Sequence, residues 1–331
     1  MSPKVVIFGE KTDWHTQRVL KEMHENHPKV GVHLLCRMSY NSDWQVSFRN
    51  SEAIVQTTSE TFPLAGCSIW NRNEFFSEPD SVNDFEVPPS AEVASFIAKQ
   101  RSLHVRGIIE ELTEKTFMVN KIESNRRASS KFLQLQIAQS IGLSTPETYI
   151  GSDPTEVKEF ILGAQKNSAR VCSKNIEALQ TQVDGTTKAR MTQLVDDDQE
   201  WSSEILQGCP MIFQHYVEKF SELRVTIVGE EIFACEMFTQ QSNNSDTHID
   251  FRNYDIPSTP HKPTELPSDM REQLRELMHA LDLQFGCVDL IKDTSGNLWF
   301  LEVNPVGQWL WTEDLAGLPI TESLCNLLVG R

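Results

Sequence analysis

Residues 287–305, CVDLIKDTSGNLWFLEVNP, restrict the fold more than any other stretch of the chain. Two β-rich apolar runs flank Thr294-Ser295-Gly296-Asn297, which has the composition of a tight turn, so the segment reads as an antiparallel hairpin. With Ser295-Gly296 as a two-residue loop, Asp289 falls directly opposite Glu302 and their side chains share a face. Directly opposed residues have Cβ atoms about 4.5–5.5 Å apart, and like charges so placed are destabilising. Something positive should therefore sit between them. Asn304, two residues beyond Glu302, adds a neutral oxygen to the same face. An all-oxygen set of this kind suits Mg²⁺ or Mn²⁺ far better than zinc, and Mg²⁺ keeps several ligands from phosphate and water. A hairpin that merely shows its charges to solvent is a weaker account. Asp289 lies among Val288, Leu290 and Ile291, and Glu302 between Leu301 and Val303, where an unpaired charge would be costly.

The rest of the chain frames this hairpin. Its 331 residues suit two or three packed units. Lys4 to Phe8, Thr12 to Asn26 and Val30 to Cys36 read as a β-α-β opening, with short strands at Gln45 to Phe48, Ala53 to Gln56 and Cys67 to Trp70 and a long helix over Ala91 to Leu112. Only Gly9 follows the first strand, so the glycine fingerprint of a dinucleotide site is missing. A basic loop from Asn120 leads into a helix carrying Leu133, Ile137 and Ile141, ended by Gly142 and Pro146. Residues 150–210 are polar and are expected to be irregular, a mobile small domain without a core. The remainder has the strongest strand signals and one helix over Met270 to Leu283, for which Asp269 is the expected N-cap.

A formal charge of −17 argues against nucleic acid or an anionic membrane as the main partner, yet leaves room for a local basic cleft. Seven scattered cysteines without any C-x-x-C pair are expected to be buried, reduced thiols. The opening MSPKVVIFGEK carries no signal-peptide pattern and no apolar run approaches 18 residues, so the expected location is the cytoplasm.

FLEVNP behind an Asp-bearing strand resembles the metal-binding end of ATP-grasp ligases. FLEVNPVGQWLWTEDLAGLPITESL is similar to a narrower group, the ligases that cross-link ribosomal precursor peptides in microviridin and related graspetide pathways. SIWNRN (Ser68 to Asn73), SKFLQLQIAQSIGLSTPET, FQHYVEKFSELRVTIVGEEIFACE and HIDFR follow that family in the same order. The resemblance implies an α/β ATP-grasp fold. Its expected parts are an N-terminal α/β pre-ATP-grasp domain over 1–118, a small central α+β lid over 119–210 with a peptide-recognition segment, and a C-terminal α+β domain over 211–331. It also implies ATP as cofactor with Mg²⁺, expected as two ions, Mn²⁺ being the alternative.

Carried over by position, the resemblance makes Lys131 the first nucleotide lysine and Lys174 the second, although the family's Lys-Pro is here Lys174-Asn175. Gln214, His215, Tyr216 and Val217 would meet the adenine edge largely through backbone groups. Glu222 would hold the ribose, and Arg224 would lie beside the transferring phosphate. Asp250-Phe251-Arg252 stands where the family has Asp-Trp-Arg. The residues alone also support these roles: Glu222 and Arg224, like Asp250 and Arg252, are two apart and at strand spacing would project to one face. Asp289, Glu302 and Asn304 complete the set as metal ligands.

The expected reaction is ADP-forming: ATP activates a carboxylate as an acyl phosphate, which a hydroxyl or amine then attacks. The family implies Asp or Glu side chains of a precursor peptide, leader plus core, as acceptors, with Thr, Ser or Lys as nucleophiles, and leaves a homodimer open. Alternatives are a ligase adding an amino acid to a small molecule or protein terminus, and a non-catalytic ATP- and peptide-binding regulator. Weaker candidates are His248 as a proton acceptor, Trp309 and Trp311 as pocket walls, and Asp196 to Asp198 as a leader contact.

Overall fold

The computed structural model describes residues 4–72, 90–113, 115–176, 180–183, 186–195, 201–206 and 208–330. The chain opens with β1 (Lys4–Phe8), α1 (Trp14–Asn26) and β2 (Gly31–Leu35). Three antiparallel strands follow, β3 (Trp44–Arg49), β4 (Glu52–Thr57) and β5 (Thr61–Pro63), then β6 (Ser68–Asn71), α2 (Ala91–Glu111) and β7 (Phe117–Val119). β1 pairs in parallel with β2 and β6, and β6 with β7, as a β-α-β opening requires. Both faces of β1 are covered, which is why its apolar residues run without alternation. Val6 and Phe8 pack with Trp44, Val55 and Ile108 on one side, while Val5 and Ile7 pack with Val19, Phe285 and Trp309 on the other.

α3 (Ile122–Ala128) and α4 (Lys131–Ser140) lead to β8 (Thr148–Gly151), α5 (Pro154–Lys166) and β9 (Val171–Lys174). β10 (Gln180–Val183) pairs with β11 (Thr186–Ala189), and β12 (Gln193–Leu194), α6 (Ser203–Leu206) and β13 (Met211–His215) complete this region. The sheet has the order β12-β9-β13-β8. An irregular, coreless segment was the expectation for 150–210, and it is overturned. Phe213, Leu206, Val157, Ala164 and Val171 form a small core. The overlooked signal is Asp153-Pro154: Asp153 caps α5 by accepting from Thr155 and Glu156 N–H, and Pro154 occupies the first turn, where its missing N–H costs nothing. The Asp196 to Asp198 run lies outside the described residues.

β14 (Lys219–Val228), β15 (Glu231–Met237), α7 (Ser245–Ile249), β16 (His261–Thr264), α8 (Ser268–Ala280), β17 (Phe285–Asp293), β18 (Leu298–Asn304), α9 (Leu310–Ala316) and α10 (Ile320–Val329) follow. The five strands form an antiparallel sheet in the order β16-β15-β14-β17-β18. Leu274, Leu277 and Leu281 of the α8 segment meet Val225, Val288, Leu290 and Phe300 in its core, with Ala128 and Ala138 from α3 and α4 on the same face. α8 begins two residues earlier than expected, so Asp269 sits in its first turn and Pro267 takes the cap position. All seven cysteines are free, and only Cys209 is exposed. No helix among the described residues is long and apolar enough to cross a membrane.

Candidate active site

The hairpin of β17 and β18 sets the site. Asp289 is paired directly with Glu302, as the sequence implies, but by another route. The turn has three loop residues, Thr294 to Gly296, with Gly296 at φ +90° and Asp293 N–H donating to Asn297 O at 2.9 Å. Leu290, Ile291 and Lys292 therefore face Phe300, Trp299 and Leu298, and the register shifts by one residue between Asp289 and Leu290. The extra residue is Leu301, a bulge. Its purpose is visible in the core: Phe300 and Val303 both face inward although they are three apart. An unbulged strand would place Glu302 on the face of Phe300, inside the core. The bulge turns it to the opposite face, beside Asp289.

Asp289 lies between two strands, with Arg224 of β14 paired to it on one side and Glu302 of β18 on the other. Arg224 Nη1 donates to Asp289 Oδ1 at 2.7 Å, and Lys131 at the start of α4 bonds Glu302 Oε2. The result is a charged row, Arg224, Asp289, Glu302, Lys131. The positive charge that two opposed carboxylates require is thus supplied by side chains. Burial pushes Asp289 up, aided by Glu302 and resisted by Arg224. Burial would also raise Glu302, but Lys131 and Lys174 overcome it and hold the carboxyl at about 2. Among the described residues no three His, Cys, Asp or Glu side chains gather as a metal cluster. The donor set is two carboxylates and the amide of Asn304, whose Oδ1 accepts from Val306 N–H at 3.0 Å. All three line one cavity, so an oxygen-seeking ion fits their chemistry.

That cavity has a volume of about 540 Å³. Lys131, Lys174, Gln214, His215, Tyr216, Val217, Glu222, Asp250 and Arg252 line it together with Asp289, Glu302 and Asn304. Arg224 sits behind Asp289 rather than on the wall, with Nη2 donating to Gln308 O at 3.1 Å. The lining residues comprise five cations, Lys131, Lys174, Arg190, Lys219 and Arg252, against four carboxylates, in a chain whose net charge is −17.

Lys174 at the end of β9 donates to Gln214 Oε1 at 3.0 Å, and burial lowers its ammonium. Gln214 passes the chain on through Nε2 to Thr148 Oγ1 at 2.8 Å. The backbone N–H groups of His215 and Tyr216 donate to Glu147 O and Arg170 O, at 2.9 and 2.8 Å, which narrows the backbone contacts open to a ligand here. Glu222 is buried, and burial pushes its carboxyl up against Lys219, whose Nζ lies 3.0 Å from Oε1. Oε1 has no aligned hydrogen bond. Lys219 also donates to Ile249 O at 2.6 Å, next to Asp250.

Asp250 and Arg252 are not on a strand, contrary to expectation. Asp250 ends α7 and Arg252 lies in the following turn. They meet because the turn folds back: Arg252 N and Nε donate to Asp250 Oδ1 at 3.1 and 2.8 Å. Asp250 Oδ2 accepts from Thr192 N–H at 3.0 Å. Burial opposes its charge, but Arg252 prevails and holds its carboxyl well below the usual range. His248 is turned away, its Nε2 bonded to Ser242 O at 2.9 Å, which requires Nε2–H as donor and excludes that nitrogen as the proton acceptor. Trp309 is wholly buried against His15, Trp70 and Phe285, whereas Trp311 on α9 packs with Phe251 at 5.9 Å.

Sequence reasoning missed Lys219, Arg190, Thr192 and Gln134. Gln134 of α4 is buried and treats edge strand β18 as a partner strand would. It accepts from Val303 N–H at 2.9 Å and donates to Val303 O at 2.8 Å. Both backbone groups lie between Glu302 and Asn304 and would otherwise be unpaired. A polar residue inside the Leu133–Ile137 face was the available signal.

No family model matches the chain, and no curated protein matches its sequence. Solved structures do match. A RiPP-associated ATP-grasp ligase from Chryseobacterium gregarium, in complex with ADP and a leader and core peptide, is similar with a TM-score of 0.84 and 24% identity, over 99% of this chain and 97% of that one. The macrocyclase MdnC from Microcystis aeruginosa, bound with precursor peptide MdnA, is similar at 0.81 and 24% over 99% and 100%. The ATP-grasp ligase PsnB, complexed with a phosphomimetic variant of a minimal precursor, Mg and ADP, is similar at 0.75 and 18% over 100% and 99%. The chain therefore has the ATP-grasp fold, and the resemblance read from its sequence is borne out at that level.

Proposed function

We propose that this chain is an ADP-forming ligase that activates Asp or Glu side chains of a ribosomal precursor peptide and joins them to Thr or Ser hydroxyls or Lys amines, closing macrocycles. The observation that carries this reading is the charged row Arg224, Asp289, Glu302, Lys131 beside one nucleotide-sized cavity. The similar Chryseobacterium ligase, which holds ADP with a leader and core peptide, supports the choice of substrates. In this reading 1–118 is the pre-ATP-grasp domain, 119–210 the lid and 211–331 the domain of the Mg-ATP site.

Glu222 Oε1, buried without an aligned partner, receives a ribose hydroxyl. Lys174, Gln214 and the remaining polar groups of His215, Tyr216 and Val217 meet the base, and Lys131 turns toward the phosphates. Asp289, Glu302 and Asn304 hold Mg²⁺, one or two ions, which when bound offsets phosphate charge. Arg252, oriented by Asp250, stabilises charge on the transferring phosphoryl group and on the oxyanion of the attacked acyl phosphate, whereas Arg224, expected beside that phosphate, acts from behind Asp289 by holding its carboxylate. The Asp289–Arg224 contact keeps that carboxylate oriented before substrate arrives. No nucleophilic side chain is needed. The proposed compartment is the cytoplasm, where ATP and free thiols such as these coexist. A homodimer belongs to the same reading.

Phosphate release from ATP, measured with and without a peptide rich in Thr and Glu, tests the function. Peptide-stimulated release with loss of one water per cross-link is expected, and ATP binding without turnover on any such peptide overturns it. Glu302→Gln should abolish Mg²⁺-dependent turnover in a folded protein; retained turnover removes Glu302 from the metal set.

A further inference from the structure

One buried guanidinium lies outside the charged row. Arg72, just past β6 in the N-terminal sheet, is 6% exposed. Its Nη1 donates to Val306 O at 2.9 Å and Gly307 O at 3.3 Å, and its Nε donates to Asp13 Oδ2 at 3.2 Å. Its planar group lies 5.4 Å from the ring of Trp309. Nη2 is 3.1 Å from His15 Nδ1, and the other nitrogen of that ring accepts from Trp309 N–H at 3.1 Å. A buried charge is expensive unless fully partnered, and three of these partners, Val306, Gly307 and Trp309, belong to one loop, residues 305–309.

That loop joins Asn304 to α9, and its carbonyls are held in succession. Asn120 Nδ2 donates to Pro305 O at 3.0 Å, Arg72 takes Val306 and Gly307, and Arg224 takes Gln308. The peptide groups of Val306 connect the two ends. Val306 N–H donates to Asn304 Oδ1 while Val306 O accepts from Arg72. On the far side the loop lies flat against Arg224: a Cβ on Gly307 would collide with Cys287 and approach Arg224 Nη2 to 3.1 Å.

We propose that Arg72 is a positioning residue for the metal and phosphate end of the cavity. By gripping Val306 and Gly307 it fixes how Asn304 presents Oδ1 and where Arg224 rests against Asp289. The proposal rests on reading Asp289, Glu302 and Asn304 as metal ligands. Removing a direct outer partner of a metal ligand costs roughly tenfold to a hundredfold in metal affinity, and Arg72, one step further out through Val306, falls at or below the lower end of that range. Arg72→Lys keeps the charge but lacks the fork by which Nη1 takes both carbonyls while Nε and Nη2 stay on Asp13 and His15.

The test uses the full chain with Mn²⁺ as probe and ADP as nucleotide, free Mn²⁺ being read by electron paramagnetic resonance. Arg72→Lys is expected to raise the Mn²⁺ dissociation constant severalfold, up to roughly tenfold, to leave metal-free ADP affinity unchanged, and to speed hydrogen exchange at Val306 N–H. A residue that only fastens two domains together would lower the yield of folded protein and leave Mn²⁺ affinity per folded molecule intact. Gly307→Ala disturbs the same loop from the opposite side and should weaken Mn²⁺ in the same way, which keeps the test decisive if Arg72→Lys does not fold. Wild-type Mn²⁺ affinity in the folded variants overturns the role of Arg72 alone. No Mn²⁺ binding by the wild type with ADP overturns the metal reading first, and the inference with it.

Discussion

Arg224→Met should destabilise the protein in a manner that depends on pH, because it strands a buried carboxylate. The side chains of Arg224 and Asp289 are 8% and 11% exposed, and their contact is 2.7 Å. Breaking a buried pair by removing one partner costs about 3–5 kcal/mol. Asp289 has one escape, which is to take up a proton. Burial already pushes its carboxyl above the ordinary 3.8, and without Arg224 that push is unopposed from β14. Holding Asp289 neutral in the native state at pH 7, against an ionised form in the unfolded chain, costs about 1.4 kcal/mol per pH unit of the gap, roughly 4 kcal/mol in all. That sets a ceiling on the charge penalty. The sign follows from the raised folded pKa: native protein binds the proton more tightly than unfolded protein, so stability is full below pH ~4 and falls as pH rises toward the folded value. Urea unfolding at pH 5 and pH 7 should show the loss in Arg224→Met growing with pH, by less than the roughly 2.7 kcal/mol that two pH units allow for one fully neutral carboxyl, because Asp289 is already raised in the wild type. Arg224→Met/Asp289→Leu removes both charges and should recover most of the loss with little pH dependence. A loss below about 1 kcal/mol at pH 7, or an equal loss at both pH values, would refute this account of the pair.

Gln134→Leu leaves Val303 N–H and C=O without their partners and should cost about 2–3 kcal/mol, with faster hydrogen exchange at Val303 while the helix keeps its signature in circular dichroism. Asp293 organises the hairpin turn: the Trp299 indole N–H, with Asn297 and the Ser295 backbone, holds its carboxyl at about 2 against an ordinary 3.8. Its contribution is present above the unfolded value and disappears as pH falls through 2, so the urea midpoints of wild type and Asp293→Ala should converge between pH 5 and pH 2. A gap that persists at pH 2 contradicts that assignment. Native protein should show one fast thiol toward an aromatic disulfide reagent, because only Cys209 is exposed, and Cys209→Ser should show none.

What the sequence disclosed of the site was what local pattern carries. Two acids inside apolar runs, with a turn between them, were enough to oppose Asp289 to Glu302, although the loop is one residue longer than the composition suggests and the Leu301 bulge makes up the difference. The two departures offset each other in register, so a correct pairing came from an incomplete geometry. The spacing of Phe300 and Val303 held the missing information, since two core residues three apart on one strand require a bulge. The chemistry of the opposed acids was less legible, because charge balance is decided by distant chain. Arg224 from β14 and Lys131 from α4 meet the carboxylates across 65 and 171 residues of sequence. The same limit hid Gln134 and Arg72, whose partners Val303 and Val306 are reached only once the sheets are assembled. The Asp250–Arg252 pair errs in the other direction. A spacing of two suits a strand, but a turn brings its ends together equally well, and Thr192 is what joins this turn to the segment leading into β12. The acceptor side of the cavity is therefore built from short loops answerable to one another, while the metal side is built on a bulged hairpin braced by α4 and the N-terminal sheet, and only the second kind of construction leaves a periodic trace in sequence.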